Sequence, residues 1–238
     1  MSESAASTAV AVFVKTPGLS PVKTRLGQAI GTEAAVETYQ ICLSALSGLL
    51  QSVSNQQGVS PYWAVAEKEA QGSPYWSQFP QIVQIQSPGL ATRLHGVYSS
   101  LRERHPGGVF LIGADCPHLP LAFFTEAIQA LSQKDCLAVL GPATDGGFTF
   151  FGSRAALPLS FWESVPYSES NTFNRLVESL KSWGSTQTPA QKIHLLAELT
   201  DIDTREDLER ALSEIEALEA KESWAPHQRL ALKRLRSC

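Results

Sequence analysis

Short apolar runs alternate along this chain with longer segments of helical periodicity. Residues 9–14 (AVAVFV) and 108–114 (GVFLIGA) are typical of strands buried on both faces of a sheet. Over 32–53 and 90–104 the pattern is instead that of amphipathic helices. This alternation predicts the α/β class, with three α/β/α layers around a mostly parallel central sheet.

The rest of the chain continues this alternation. Further strands are predicted at 62–66, 82–86, 137–140, 147–152 and 192–196, and further helices at 121–132, 171–183 and 205–236, the last with a break near Pro226. No linker-like stretch or internal repeat divides the chain. We therefore expect one domain over 1–238, with a core at about 9–212 and a C-terminal helical extension at about 213–238. In such a fold, ligands bind at the carboxyl ends of the strands.

Charge and cysteine content argue against several classes of protein. A net charge of −4 does not suit a nucleic-acid-binding surface, which needs a basic excess. The four cysteines lie far apart without a CxxC pair, so neither a zinc site nor a disulfide framework is expected. The N-terminus lacks the basic start of a signal peptide, and no apolar run reaches the roughly 18 residues of a membrane helix. We therefore expect a cytoplasmic protein without a membrane span.

The first predicted strand runs directly into a basic loop, 15–26 (KTPGLSPVKTRL). Lys15, Lys23 and Arg25 bracket a glycine and two prolines, which favour tight turns. Such a loop can aim backbone N–H groups and basic side chains at one anion, and arginine adds a two-pronged donor for phosphate oxygens. It is not a Walker A loop, because Val22 stands where the second glycine is required. The pattern indicates a phosphate-binding loop; the alternative is a solvated basic turn.

A carboxylate, Asp115, follows the apolar run 108–114 just before a proline turn. Aspartate oxygens suit Mg²⁺ or Mn²⁺, which keep bound waters and bridge to substrate phosphates. The alternative role is an Asx-turn or a helix cap. The five histidines share no metal-ligand spacing, and His118 is the one that stands close to this candidate site.

Two other segments carry aspartates in turn-forming contexts. Asp201 and Asp203 precede 204–207 (TRED), which has the spacing of a capping box. Either carboxylate could be a second metal ligand, or both could favour the start of a helix. In 145–147 (DGG), the glycines would let a ligand approach the backbone closely, although an ordinary hairpin is the commoner use of Asp-Gly.

Two more polar residues stand near predicted helix starts. Arg93 follows a Pro-Gly pair and could reach an anion, although an exposed helical arginine is the commoner case. Ser168 could supply a polar contact to an acceptor, although serine also favours helix starts. No G-x-S-x-G motif is present, so a serine-hydrolase triad is not expected.

The order of these segments resembles a bacterial family classed as glycosyltransferases, which has the nucleotide-diphospho-sugar transferase (GT-A) fold and is often encoded beside radical-SAM and selenocysteine-domain genes. The resemblance covers roughly 9–212 and rests on VFVKTPG (12–18), VKTRL (22–26), GLATRL (89–94), LIGADCPHLP (111–120), GPATDGGF (141–148), VPYS (165–168) and DIDTREDL (201–208). Thr92 stands where the family usually has an acidic residue, and Phe148-Thr149 stands where many members have a tyrosine pair. These departures affect the identity of the acceptor and not the fold.

The resemblance and the residue patterns together imply roles for individual side chains. The expected catalytic residues are Asp115, Lys23 and Arg25. The expected nucleotide-binding residues are Lys15, Thr16, Pro17, Gly18, Lys23, Thr24, Arg25 and Arg93. The expected acceptor-binding residues are Asp145, Gly146, Gly147 and Ser168. The expected ligands of Mg²⁺ or Mn²⁺ are Asp115, Asp203 and Asp201.

Three functions stay open on the sequence alone. The resemblance favours a glycosyltransferase that uses a nucleotide sugar. The three cations suit a nucleotidyltransferase, which would couple an NTP to a phosphorylated or carboxylated acceptor and release pyrophosphate. A non-catalytic nucleotide-binding module is the third reading. The expected partners are a nucleotide or nucleotide-sugar donor and a small-molecule acceptor, and the basic stretch 228–236 suits a homodimer contact or an exposed helix end.

Overall fold

The computed structural model describes residues 7–187, 191–219 and 224–236. Its strands are β1 (Thr8–Val14), β2 (Val59–Val65), β3 (Gln81–Val83), β4 (Gly108–Gly113), β5 (Cys136–Pro142), β6 (Phe148–Ser153) and β7 (Lys192–Leu195). They form one seven-stranded sheet in the order β3-β2-β1-β4-β6-β5-β7. Neighbouring strands are parallel except around β6, which runs antiparallel to β4 and β5. The predicted α/β class with a mostly parallel sheet is confirmed.

Helices cover both faces of this sheet. They are α1 (Thr24–Ile30), α2 (Thr32–Gln57), α3 (Leu90–Arg104), α4 (Leu121–Ser132), α5 (Leu159–Glu163), α6 (Thr172–Gln187), α7 (Arg205–Glu219) and α8 (Pro226–Leu235). Side chains alternate along a strand, so Val10 and Val12 of β1 pack on the side of α2 and α4, while Ala9 and Ala11 pack on the side of α3, α5 and α6. The three predicted layers are therefore present. None of the helices in the described ranges is both long and apolar enough to cross a membrane.

Apolar residues of the last two helices form a third cluster with residues of α1 and α2. The predicted break near Pro226 is confirmed, because α8 begins there, whereas α7 runs without interruption through the expected extension boundary at 212–213. Gln228 of α8 is fully buried and donates from Nε2 to the carbonyl oxygens of Pro117 (3.1 Å) and Leu119 (2.9 Å). The basic stretch 228–236 is thus partly buried within the chain, and its role as a homodimer contact stays a prediction.

The predicted capping box at the start of α7 is confirmed by its hydrogen bonds. The Asp207 carboxylate accepts from the Thr204 backbone N–H at 2.9 Å, and the Asp207 N–H donates to the Thr204 hydroxyl at 3.2 Å. Thr204→Ala is expected to lower the free energy of unfolding by about 1 kcal/mol. Urea unfolding measures this change, and Thr204→Ser should keep most of the stability. Equal losses in both variants would contradict a capping role for the hydroxyl.

Candidate active site

Two strand ends and one acidic turn meet at the carboxyl edge of the sheet. Since β1 and β4 are parallel neighbours, Lys15 after β1 and Asp115 after β4 lie at the same edge. The backbone N–H of Ile202 donates to the Asp115 carbonyl oxygen at 2.9 Å, which brings Asp203 to this edge as well. A cleft of about 300 Å³ results, which we call the basic cleft; its lining includes Lys15, Lys23, Thr24, Arg25, Tyr39, Asp115 and Asp203.

The side chain of Lys23 crosses the base of this cleft. Lys23 has a left-handed backbone (φ 48°) just before α1, and its side chain is only 2% exposed. Its ammonium contacts the Asp115 carboxylate and the Ile202 carbonyl oxygen, and it lies 3.5 Å from Asp203 Oδ1. Burial alone would lower the pKa of Lys23, but the charge and hydrogen bond of Asp115 together with the charges of Cys42 and Asp203 outweigh it, and the pKa is raised. Lys23 therefore stays charged and joins the two acidic segments.

The lining of the basic cleft also includes two exposed cations, Lys15 and Arg25, and the uncharged Thr24. Arg25 is 71% exposed, and its Nη2 lies 3.5 Å from Asp203 Oδ2. Lys15 is also exposed, and its backbone is held to α2 because its N–H donates to the Tyr39 hydroxyl at 3.0 Å. Long exposed cations on an anchored backbone can reorient towards an anion at small cost. Of the three predicted cations, Lys15 and Arg25 are thus the ones free to reach phosphate.

Four of the predicted nucleotide-binding residues do not line the basic cleft. The Thr16 N–H donates to Glu67 Oε2 at 2.9 Å, and the Thr16 hydroxyl accepts from the indole of Trp76 at 3.0 Å. Both polar groups of Thr16 are therefore engaged in the core. The lining of the basic cleft includes none of Thr16, Pro17, Gly18 and Arg93, although Gly18 lines a neighbouring cleft with Lys23 and Thr24.

A buried polar network, formed by His118, Thr200 and Glu214, holds the two acidic segments in place. His118 Nε2 lies 2.8 Å from Glu214 Oε2, which also accepts from the Thr200 N–H at 3.0 Å. The Thr200 hydroxyl donates to Glu214 Oε1 at 2.6 Å. Burial would raise the pKa of Glu214, but the hydrogen bonds from His118 and Thr200 lower it to about 2. Glu214, in the middle of α7, carried no sequence signal of this role.

Removing the charge of Glu214 should loosen both acidic segments. We expect Glu214→Gln to lower the free energy of unfolding by about 1–2 kcal/mol, because hydrogen bonds to a charged acceptor become neutral ones. Chemical denaturation at pH 7 measures the loss, with the exposed Glu216→Gln on the same helix as the control. A loss no larger than that of the control would contradict the network's role.

A second cleft, of about 440 Å³, adjoins the first and shares Phe13, Arg25 and Asp203 with it. Its acidic lining residues are Asp145, Glu169, Asp201 and Asp203, and we call it the acidic cleft. Asp145 and Gly147 lie in the turn between β5 and β6, where the Gly147 N–H donates to Asp145 Oδ1 at 2.6 Å. The segment is thus a hairpin turn, as its alternative reading predicts, and it also borders a cleft.

The turn is fixed against the segment that carries Ser168. Gly146 has a φ of 91°, and a Cβ at this position would lie 1.9 Å from the Ser170 carbonyl oxygen, so only glycine fits. Ser168, with a φ of 63°, lines the acidic cleft together with Asp145 and Gly147. Three of the predicted acceptor residues, Asp145, Gly147 and Ser168, are therefore brought together, while Gly146 is not among the lining residues.

Asp201 is the most perturbed carboxylate of the acidic cleft. Burial and then the nearby Asp145 charge raise the pKa of Asp201 to about 7. Its Oδ1 is buried and has no hydrogen-bond partner within the described residues. A partly buried carboxylate with one unpaired oxygen, beside other acids, indicates a local shortage of positive charge.

The family of the chain follows from its sequence. Residues 49–169, about half of the chain, match the family described as uncharacterized proteins conserved in bacteria, DUF2064. The chain belongs to the DUF2064 family. No curated protein matches it. The association with radical-SAM genes stays a prediction.

Solved structures show which fold this DUF2064 protein has. A candidate nucleotide-diphospho-sugar transferase from Desulfovibrio desulfuricans G20 is 21% identical, with a TM-score of 0.74 over 97% of each chain. The 4-diphosphocytidyl-2C-methyl-D-erythritol synthase from Anaerococcus prevotii DSM 20548 is 11% identical, with a TM-score of 0.53 over 90% of this chain and 99% of that one. At such identities the likeness establishes the fold alone. It confirms the prediction that the chain has a fold of the nucleotide-diphospho-sugar transferase type.

The acidic residues of the DUF2064 protein could supply some of the ligands that a divalent metal ion needs. Across the described parts of the chain, no group of three or more His, Cys, Asp or Glu side chains is arranged to hold a metal ion. Asp115 and Asp203 nevertheless converge on one positive charge, the Lys23 ammonium, and Oδ1 of Asp201 has no hydrogen-bond partner within the described residues. Magnesium commonly takes one or two carboxylates and completes its shell with water and phosphate oxygens. The donor set suits such a cation when a phosphate ligand is present.

Proposed function

We propose that this DUF2064 protein is a transferase that binds a nucleotide-activated donor in the basic cleft and passes part of it to a small molecule in the acidic cleft. The observation that carries the proposal is the convergence of exposed Lys15 and Arg25 with Asp115 and Asp203 at the ends of β1 and β4. Cations for phosphate and carboxylates for a divalent metal are the groups that phosphate-centred transfer needs.

The residues of the basic cleft would have different roles in binding the donor and the metal. Lys15 and Arg25 would bind the donor phosphates, with Thr24 beside them. Asp115 and Asp203 would hold Mg²⁺ or Mn²⁺, which when bound neutralises charge on the leaving phosphates. Lys23 would keep the two carboxylates together, since its ammonium already contacts Asp115 and lies near Asp203. Asp201 remains a candidate ligand from the neighbouring cleft.

Glycosyl transfer from a nucleotide sugar is the reaction we favour, because the structure with the higher TM-score, from Desulfovibrio desulfuricans G20, is named for that chemistry. Nucleotidyl transfer is the second candidate. The two exposed cations of the basic cleft, Lys15 and Arg25, could also bind a triphosphate, and the Anaerococcus prevotii synthase is named for a diphosphocytidyl product. The two reactions release different products, which makes them separable.

Phosphorus NMR distinguishes the candidates. The protein is incubated with Mg²⁺, a mixture of small sugars, sugar phosphates and sugar acids, and either nucleotide sugars or NTPs. Glycosyl transfer releases a nucleoside diphosphate, whereas nucleotidyl transfer releases pyrophosphate. Asp115→Asn should abolish either product, while Asp135→Asn, an exposed carboxylate paired with Lys192, should have no effect. Nucleotide binding without any product would support the non-catalytic module instead, and equal turnover by Asp115→Asn would contradict the proposed site.

A further inference from the structure

We propose that the acidic cleft accepts a hydroxyl-bearing small molecule that is uncharged or positively charged and has one apolar face, and that it rejects phosphorylated and carboxylated acceptors. This proposal rests on the proposed function, because it assigns the acceptor to the cleft beside the donor site. It separates the two transfer reactions by substrate chemistry, since the nucleotidyl reading requires an anionic acceptor.

The charge of the lining supports the exclusion of anions. Four carboxylates line the acidic cleft, and Arg25 is the one lysine or arginine among its described lining residues. Arg25 is moreover close to a carboxylate, with its Nη2 3.5 Å from Asp203. Among the described lining residues, Asp145 and Glu169 thus have no lysine or arginine to neutralise them, even if a divalent metal neutralises Asp203. A phosphate or carboxylate entering this cleft would meet like charges that it cannot avoid.

The opposite wall of the acidic cleft is apolar. Its apolar lining residues are Phe13, Leu90, Leu94, Leu111, Ile112 and Phe148. Most ligand pockets combine such a wall with a few polar groups that orient the ligand. A molecule with one apolar face and hydroxyl or amine groups on the other face matches both walls of this cleft.

A hydroxyl group is also available to orient the ligand. Tyr167 lines the acidic cleft, and its phenol oxygen has no hydrogen-bond partner within the described residues. Burial raises the pKa of Tyr167, so the group stays protonated and keeps its hydrogen to donate. The neighbouring hydroxyls of Thr149 and Thr172 instead bond to backbone carbonyls, at 3.4 Å and 2.9 Å. The buried phenol oxygen of Tyr167 is therefore a polar group at the cleft wall that no described residue satisfies.

Four sugars that share one ring but differ in charge test the proposal. Binding of glucosamine, glucose, glucuronate and glucose 6-phosphate is measured by saturation-transfer NMR, with and without Mg²⁺ and UDP or CTP. We expect glucosamine to bind at least about tenfold more tightly than either anion at low salt, and the difference to shrink at about 0.5 M salt. Phenyl glucoside should bind more tightly than methyl glucoside because of the apolar wall.

A charge-reversed variant ties the preference to this cleft. Glu169→Lys should weaken glucosamine binding and strengthen glucose 6-phosphate binding, whereas Glu163→Lys, an exposed position outside the lining, should change neither. The proposal is overturned if an anionic sugar binds as tightly as glucosamine, if none of the four binds, or if Glu169→Lys leaves the preference unchanged. The samples without nucleotide separate this outcome from a failure of the donor site, which a nucleotide titration reports independently.

Discussion

Replacing Lys23 by methionine is expected to lower the free energy of unfolding by about 3–5 kcal/mol, because it leaves partly buried carboxylates without their cation. For a chain of this size, such a loss lowers Tm by roughly 6–20 °C. The ammonium contacts Asp115 and the Ile202 carbonyl oxygen, and Asp203 lies 3.5 Å away. Differential scanning calorimetry in EDTA measures the change without a competing metal.

Three comparisons make this result specific. Lys192→Met removes an ion pair whose lysine is 76% exposed, and it should change stability far less than Lys23→Met does. Lys23→Met combined with Asp115→Asn should recover part of the loss, because the two groups interact directly. Added Mg²⁺ should raise the Tm of Lys23→Met more than that of the wild type, since it can take the place of the ammonium. A Lys23→Met variant no less stable than Lys192→Met would contradict the assigned role of Lys23.

Replacing Asp201 by asparagine should stabilise the protein at high pH. The pKa of Asp201 is raised to about 7, above the roughly 3.9 of an unfolded aspartate, so its favourable contribution is complete below pH 3.9 and is lost as the pH rises through 7. About three pKa units correspond to roughly 4 kcal/mol, and we expect a gain of about 2–4 kcal/mol at pH 8 and almost none at pH 4. Urea unfolding across this pH range, in EDTA, measures it.

The control for this prediction is Asp135, an aspartate whose surroundings lower its pKa instead of raising it. The hydrogen bond and charge of Lys192 lower the pKa of Asp135, so Asp135→Asn should give no stabilisation that grows between pH 4 and pH 8. If Asp201→Asn likewise gave no stabilisation that grows between pH 4 and pH 8, the raised pKa of Asp201 would be wrong. It would also be wrong if the variant were less stable than the wild type at pH 8.

Sequence periodicity was sufficient to predict the bounds of longer helices but not to detect the shorter ones. The predicted bounds of α3 and α4 are those of the structure, because each helix carries three or more turns of periodic apolar residues. By contrast, α1 (Thr24–Ile30) and α5 (Leu159–Glu163) are too short to show a period, and the first of them begins inside the predicted basic loop. The three-layer arrangement did not depend on either.

The positions of the site residues could be predicted more fully than their contacts. Lys15 and Asp115 follow parallel strands, so their meeting at one edge follows from the order of elements. Lys23 was expected to face phosphates, yet its ammonium lies between two acidic segments, because a left-handed backbone turns it into the core. Glu214 owes its role to contacts with residues distant in sequence, which no local pattern indicates.

The central claim is that the basic cleft binds a nucleotide donor together with a metal. Thermal shift with NTPs and nucleotide sugars, each with Mg²⁺, Mn²⁺ or EDTA, tests it most directly. A ligand at ~100 times its Kd should stabilise the wild type by about 2.7 kcal/mol, a rise in Tm of roughly 5–10 °C. We predict this shift for one nucleotide with metal only, and its loss in Asp115→Ala and in Arg25→Ala, whose exposed side chain can be removed without unfolding. No shift with any nucleotide, or an equal shift in both variants, would contradict the claim.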